Sequence, residues 1–216
     1  MTLAATIRGL YAVLDRDDLA LARSLVGRDG AKAAVLQVRL KSMARATSTR
    51  DLLRIAGLAR ALTREHGVPL IINDRRDVAL AVGADGVHLG QDDLPLAEAR
   101  RIANGAGRAQ RFVIGVSTHD LAQVTAAVAG GADYLGCGPV FATATKANPD
   151  PVQGVDALAA AVRAAGRVPV VAIGGVTPDR CPALAAAGAA AACCIAAVNN
   201  APDPVLAGRA VAAAWP

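Results

Sequence analysis

The sequence predicts an α/β protein: a single (β/α)8 TIM barrel formed by residues 1–216. Three observations lead there. Short apolar runs alternate with longer amphipathic ones from end to end, and strict strand–helix alternation implies a parallel sheet covered by helices. There are eight of each, which favours closure into a barrel over the alternative of an open, doubly wound sheet. The length of 216 residues suits one compact barrel, and no linker-like stretch divides it.

Leu10–Leu14 is an unbroken apolar run, and a helix at Leu19–Val26 follows the charged turn after it. Ala33–Val38 is the second strand. Ser48 and Asp51 form an S-x-x-D capping signal for a long helix at Thr49–His66. Strands three and four are Pro69–Ile72 and Gly86–Leu89, with helices at Val78–Val82 and Leu96–Ala103. Phe112–Val116 is strand five, and Ser117 and Asp120 repeat the capping spacing before a helix at Leu121–Ala129. Asp133–Gly136 is strand six; an aperiodic stretch at 142–153 separates it from a helix at Val155–Ala164. Such long loops in compact domains are usually functional. Val168–Ile173 is strand seven, and Thr177-Pro178 offers an N-cap hydroxyl and a helix-compatible proline to Pro178–Ala187. Ala191–Ile195 and Pro204–Ala213 complete the set. Gly83-Ala84-Asp85 and Gly131-Ala132-Asp133 each precede a strand; their recurrence reads as helix-to-strand turn chemistry rather than a solenoid repeat.

Composition narrows the function. With 54% hydrophobic and 19% charged residues the chain is not disordered, and with aromatics at 2% it lacks the stacking platform of an aromatic nucleic-acid reader. Alanine supplies about a quarter of the residues, so the core must be aliphatic and closely packed. The net charge of +5 comes without any run of five or six Lys/Arg, so neither a nucleic acid nor a membrane is the expected partner. A positive balance suits an enzyme of anionic metabolites. Charged residues interrupt any N-terminal signal-peptide core. Cys137, Cys181, Cys193 and Cys194 fit no zinc pattern, and an adjacent pair is awkward for a disulfide. They read as buried, reduced thiols of a cytoplasmic protein. A homo-oligomer stays open.

Barrel chemistry belongs at the C-terminal ends of the strands, and there the polar residues collect. Alternation puts Gln37, Arg39 and Lys41 on one side of the second strand end, an anion site. Asp74 and Asp93 end adjacent strands, where two carboxylates can share a hard cation such as Mg2+ with substrate phosphate oxygens. Capping is the competing role for both. His88 reads as a buried, hydrogen-bonded barrel histidine rather than a base, and Cys137 as packing. Ser117 either binds substrate or caps the helix, and no G-x-S-x-G elbow surrounds it. Gly136 to Lys146 leads from glycines through Thr143 and Thr145 to a cation, a set of donors for a phosphorylated ligand. Gly174-Gly175 supplies backbone for a phosphate site; the Ile195-Ala196 end can contribute only main-chain N–H groups.

These motifs, in this order, resemble the thiamine-phosphate synthase family: Gln37-Val38-Arg39-Leu40-Lys41, Ile72-Asn73-Asp74-Arg75, Gly86-Val87-His88-Leu89-Gly90-Gln91, Gly131-Ala132-Asp133-Tyr134 with Gly138-Pro139, Thr143-Ala144-Thr145-Lys146 and Ala172-Ile173-Gly174-Gly175. The resemblance runs from about residue 10 to residue 204. It implies a barrel that joins a hydroxymethylpyrimidine diphosphate to a thiazole phosphate with magnesium, releasing diphosphate and forming thiamine phosphate. It further implies that Gln37, Arg39, Lys41, Asn73, Ser117 and Lys146 bind the pyrimidine diphosphate, with Arg39, Lys41 and Lys146 stabilising the leaving group. Asp74 and Asp93 match the family's magnesium ligands. Thr143, Thr145, Gly175, Ile195 and Ala196 match its thiazole-phosphate contacts. The chain departs from the family pattern at Ala196, where Ser is usual, at Arg76, usually apolar, and at Asp92, an added charge. The rival readings are a thiazole tautomerase and a non-catalytic thiamine-phosphate-binding protein, and the intact Asp74, Asp93, Arg39 and Lys146 count against both.

Overall fold

The computed structural model describes residues 6–40, 47–107, 112–143 and 150–215. Its strands are β1 (Gly9–Leu14), β2 (Val35–Val38), β3 (Leu70–Asn73), β4 (Gly86–Leu89), β5 (Val113–Thr118), β6 (Tyr134–Cys137), β7 (Val170–Ala172) and β8 (Ala191–Cys193). They form a closed parallel barrel in chain order, β8 pairing with β1 through Gly9↔Ala191 and Leu10↔Ala192. The helices are α1 (Leu19–Val26), α2 (Thr49–His66), α3 (Arg76–Ala81), α4 (Leu96–Gly105), α5 (Leu121–Ala129), α6 (Gly154–Ala165), α7 (Cys181–Ala186), α8 (Ala196–Asn199) and α9 (Pro204–Ala212).

Alternation along each strand splits the core in two. Leu10, Ala12 and Leu14 of β1 face the helices, together with Leu36, Leu70, Ile72, Val87 and Leu89. Tyr11 and Val13 face the barrel interior, with Val35, Ile71, Val113, Tyr134, Val171 and Ala191. The alanine excess has a packing reason: Ala22, Ala56, Ala59, Ala79, Ala99, Ala103, Ala161 and Ala165 are buried at the helix–strand layer, where a small side chain allows close approach.

Local chemistry sets the element ends. Ser48 caps α2 by accepting the Asp51 N–H at 3.1 Å, as its spacing predicts. The second capping expectation is corrected: Asp120, not Ser117, caps α5 by accepting the Gln123 N–H at 2.7 Å, because β5 runs through Ser117 to Thr118. The helix expected at Pro178–Ala187 begins with a 3-10 turn, Pro178–Arg180, before α7. Pro182 has no N–H to give to Pro178, which breaks the first turn. Thr177 takes the N-cap position but its hydroxyl makes no capping bond. The strand expected to run to Ile195 stops at Cys193, and the four residues of α8 follow; a segment so short carries no periodic signal.

The two Gly-Ala-Asp turns do more than end helices. Asp85 accepts both Arg60 N–H groups of α2 (2.6 and 3.1 Å) and the Leu70 N–H of β3 (2.8 Å). Asp133 does the same with Arg100 of α4 (2.5 Å) and the Ile114 N–H of β5 (2.7 Å). Each carboxylate therefore ties a helix to two adjacent strands at the N-terminal face of the barrel.

The widest interior side chain, Tyr134, fits because its neighbour in register is Gly115. A Cβ at Gly115 would lie 2.0 Å from the Tyr134 Cζ. Gly115→Ala is expected to lower stability by about 1–3 kcal/mol or more through overpacking, read as a fall in Tm of roughly 2–4 °C per kcal/mol. Gly57→Ala, on the exposed face of α2 with no atom within 4 Å of the new Cβ, is expected to stabilise by about 0.5–1 kcal/mol. Thermal unfolding of both variants checks the pair; an unchanged Tm in Gly115→Ala contradicts this packing.

Candidate active site

A cavity of ≈ 1190 Å3 opens at the C-terminal ends of the strands. Its floor is a chain of hydrogen bonds. The Gln37 Nε2 donates to the Tyr11 hydroxyl at 3.1 Å, and Tyr11 and Tyr134 share a 2.7 Å hydroxyl–hydroxyl bond. The Tyr134 hydroxyl lies 2.9 Å from His88 Nδ1, and His88 Nε2 lies 2.9 Å from Ser117 Oγ. Each hydroxyl has one hydrogen to give, so the His88 tautomer and the Tyr11–Tyr134 direction are linked. With a ring proton on His88 Nε2 alone, Tyr134 donates to Nδ1, Tyr11 donates to Tyr134, and Nε2–H donates to Ser117 Oγ. The Ser117 hydrogen is then left for a ligand in the cavity. Burial pushes both phenols above the ordinary tyrosine range, so they stay protonated as this chain requires.

On the wall above lie Arg39, Asn73, Asp74, Asp92 and Asp93. Arg39 follows β2, and among the described residues it forms no ion pair with a carboxylate, unlike Arg54, Arg60, Arg75, Arg100 and Arg101. Asp74 has φ 58°, and its N–H donates across to the His88 carbonyl at 2.8 Å, which fixes the end of β3 against β4. One Asp93 oxygen accepts the Gly90 N–H at 2.7 Å, so this carboxylate also closes the turn after β4. The Gln91 side chain donates to the Ser117 carbonyl at 2.6 Å and joins this turn to β5.

Opposite are Thr143, Gly175, Ile195 and Ala196, which line the same cavity. Gly174 and Gly175 have φ 86° and 62°, and a Cβ at Gly175 would lie 2.3 Å from the Ala142 carbonyl oxygen. Both the left-handed backbone and the close approach therefore require glycine. The Val140 and Phe141 N–H groups bond to the Ile173 and Gly174 carbonyls (2.9 and 3.1 Å), stitching the loop after β6 to the loop after β7. Arg180 adds a third stitch: it donates to the Gly175 carbonyl at 2.6 Å while its guanidinium lies 4.5 Å from the Phe141 ring centroid. On the far side of the β6–α6 loop, Gln153 donates to the His119 and Gly138 carbonyls at 2.5 and 3.1 Å.

The structure thus brings Gln37, Arg39, Asn73, Asp74, Asp93, Ser117, Thr143, Gly175, Ile195 and Ala196 around one cavity. Lys41, Thr145 and Lys146 lie outside the described residues. His88 is the partly buried, hydrogen-bonded histidine its context suggests. Burial raises the Cys137 thiol to about 11, in keeping with a packing role. Asp92 lines the cavity, while Arg76 is not part of its lining. Sequence reasoning missed Tyr11, which the inward phase of β1 and the scarcity of tyrosine could have flagged. It also missed the clamp on α8. The buried Asp15 accepts from Asn199 Nδ2 at 2.9 Å, and Arg16 donates to the Asn199 carbonyl at 2.6 Å and to Asn200 Oδ1 at 3.1 Å. These partners lie more than 180 residues apart in the chain.

A closed (β/α)8 barrel whose polar groups gather at the C-terminal mouth is an enzyme architecture. The comparisons then narrow it. Residues 10–198 match the family described as thiamine monophosphate synthase. The chain is 45% identical over 177 residues to the thiamine-phosphate synthase of Chloroflexus aurantiacus, covering 82% of this chain and 77% of that one. It is 44% identical over 214 residues to the thiamine-phosphate synthase of Anaeromyxobacter dehalogenans, covering 98% and 89%. The solved thiamine phosphate pyrophosphorylase from Pyrococcus furiosus superposes with a TM-score of 0.85 at 33% identity, covering 99% and 97%. A 3-hexulose-6-phosphate synthase at 21% identity and a TM-score of 0.69 shares the fold alone. This chain belongs to the thiamine monophosphate synthase family.

Proposed function

We propose that this chain works, within a single barrel domain, as a thiamine-phosphate synthase. The substrates are 4-amino-2-methyl-5-(diphosphooxymethyl)pyrimidine and 4-methyl-5-(2-phosphooxyethyl)thiazole, and the products are thiamine phosphate and diphosphate. The observation that supports this reading is the lining of one cavity, which holds Arg39, Asn73 and Ser117 from the β2, β3 and β5 ends and Gly174 and Gly175 from the loop after β7.

In this reading the bond between the pyrimidine methylene and the diphosphate oxygen breaks first, with both electrons leaving on diphosphate. The aminopyrimidine ring delocalises the resulting cation, and the thiazole nitrogen captures it. Arg39 takes up the developing negative charge, supported by Asn73 and by the Ser117 hydroxyl. Lys41 and Lys146 are proposed to close the same charge from their own segments. Gln37, its Nε2 tied to Tyr11, presents its amide in one fixed orientation to the pyrimidine edge. No strong general base is needed, because positioning and charge neutralisation do the chemistry. Thr143, Thr145 and the Gly175, Ile195 and Ala196 backbone would hold the thiazole phosphate; the first N–H groups of a helix such as α8 have no intrahelical acceptor.

The donor set fits magnesium. Asp74 and Asp93 are hard oxygen ligands on adjacent strand ends in the cavity, and a carboxylate that accepts one N–H still has lone pairs to give. Among the described residues no three His, Cys, Asp or Glu side chains are grouped to hold a metal. That suits an ion completed by phosphate and water, as Mg2+ commonly is. When bound, the ion neutralises diphosphate charge. A thiazole tautomerase needs neither metal nor diphosphate, so Asp74, Asp93 and Arg39 in one cavity favour the synthase. Among the described residues no helix is long and apolar enough to cross a membrane.

Incubating the protein with both phosphorylated substrates, with and without Mg2+, and detecting thiamine phosphate tests the reading. Turnover is expected only with the metal, and Asp74→Ala is expected to abolish it while the chain still unfolds cooperatively, with Tm lowered by a few degrees because alanine is disfavoured at φ 58°. Full magnesium-dependent activity in Asp74→Ala contradicts the metal assignment; no thiamine phosphate from the native chain contradicts the synthase.

Ala196 removes one hydroxyl donor from the thiazole half relative to the family pattern. A hydrogen bond to a charged group contributes roughly 1.5–3 kcal/mol net, and ~1.4 kcal/mol is tenfold in affinity. Ala196→Ser is therefore expected to lower KM for the thiazole phosphate by about tenfold or more and to leave KM for the pyrimidine diphosphate unchanged. Unchanged values for both substrates in steady-state kinetics contradict phosphate binding at this strand end.

A further inference from the structure

The sequence scatters its cations, but the fold gathers Arg8, Arg28, Lys32 and Arg209 around a second cavity of ≈ 840 Å3. Arg8 immediately precedes β1, Arg28 and Lys32 lie between α1 and β2, and Arg209 belongs to α9. This is the N-terminal face of the barrel, opposite the substrate mouth. Among the described residues Asp29 is the one acidic side chain in the lining, so the cavity carries a formal excess of positive charge. Arg209 is committed to the loop beneath it, donating to the Gly30 and Asp29 carbonyls at 3.0 and 2.5 Å. That fixes the segment bearing Arg28 and Lys32. These two side chains are exposed, and among the described residues neither enters a hydrogen bond or ion pair.

Two further features single out this cavity. Lys32 has φ 59°, and among the described residues the only other non-glycine in the left-handed region is Asp74, at the substrate mouth. Side chains held in that conformation cluster at ligand-binding and catalytic sites. Trp215 supplies one wall, partly exposed. Its indole N–H already donates to the Ala189 carbonyl at 2.6 Å, so what it offers a ligand is the ring itself.

We infer that this basic cavity is a second binding site, separate from the substrate mouth, for an oligophosphate anion. Two exposed cations on the α1–β2 segment, beside Arg8 and Arg209 in the same lining, match a ligand with several negative charges, and Arg and Lys donors form short, charge-assisted bonds to phosphate oxygens. The inference does not depend on which substrates the mouth takes.

Trp215 is the single tryptophan of the sequence, so its emission reports on this cavity alone. Titration of the whole protein with inorganic tripolyphosphate at constant ionic strength is expected to give a saturable change in emission. The same change is expected in Arg39→Ala, where the substrate mouth is impaired. In the double variant Arg28→Ala/Lys32→Ala the midpoint is expected to rise at least tenfold while turnover and Tm are kept. A parallel titration with a nucleoside triphosphate separates the sources: a lower midpoint assigns an aromatic phosphate ester, and an equal one assigns free oligophosphate. A response that does not saturate, that persists unchanged in the double variant, or that disappears in Arg39→Ala overturns the second site. The cations are then only partners of the helix C-terminal carbonyls at this face.

Discussion

The site depends on Tyr134 standing inside the barrel. A fully buried tyrosine needs space and a partner for its hydroxyl, and the sequence supplies both. Gly115 gives up its side chain where the ring lies. Gly136, the next inward residue of β6, leaves room for His88, whose Cε1 would sit 3.2 Å from a Cβ there. Tyr11 and His88 then occupy the two sides of the Tyr134 hydroxyl. The chain's only two tyrosines meet in the barrel interior and continue one line of hydrogen bonds from β2 to β5. Breaking the buried Gln37–Tyr11–Tyr134 part of that line leaves a buried polar group unpaired, at a cost of about 1–3 kcal/mol.

Above this floor the mouth is held by main-chain bonds and by long side chains that reach main-chain carbonyls. The Asp74 N–H reaches the end of β4, the β6 and β7 loops exchange main-chain bonds, and Arg16 and Asp15 fasten α8 to the end of β1. Each stitch crosses between neighbouring strand ends. Catalysis by charge neutralisation gains from this, because donors fixed before the substrate arrives need no reorganisation during the reaction. Thr143 lines the cavity beside this stitched region.

The barrel was legible because parallel strands and covering helices write different periods into the sequence. The inward set Gln37 and Arg39 and the adjacent carboxylates Asp74 and Asp93 follow directly from alternation and strand order, and the structure places them around one cavity. Ser117 was ambiguous, since the same spacing serves a cap and a ligand; only the extent of β5 decides between them. The α8 clamp was not legible, because Asp15 and Asn199 are separated by 184 residues and nothing local marks either as a partner. Asp85 and Asp133 looked like turn residues, and their bonds to Arg60 and Arg100 depend on which helix lies beside which strand. The cations of the second cavity were hidden for the same reason.

The central claim is that one mouth divides into a side-chain half for diphosphate and a backbone half for the thiazole phosphate. A crystal structure of the protein with thiamine phosphate, diphosphate and Mg2+ tests it most directly. The account predicts diphosphate against Arg39, Asn73 and Ser117, with the metal between it and Asp74 and Asp93, and the ester phosphate at the Gly175 and Ala196 N–H groups. Diphosphate at Gly175, or an ester phosphate bound beside Arg39, would contradict it.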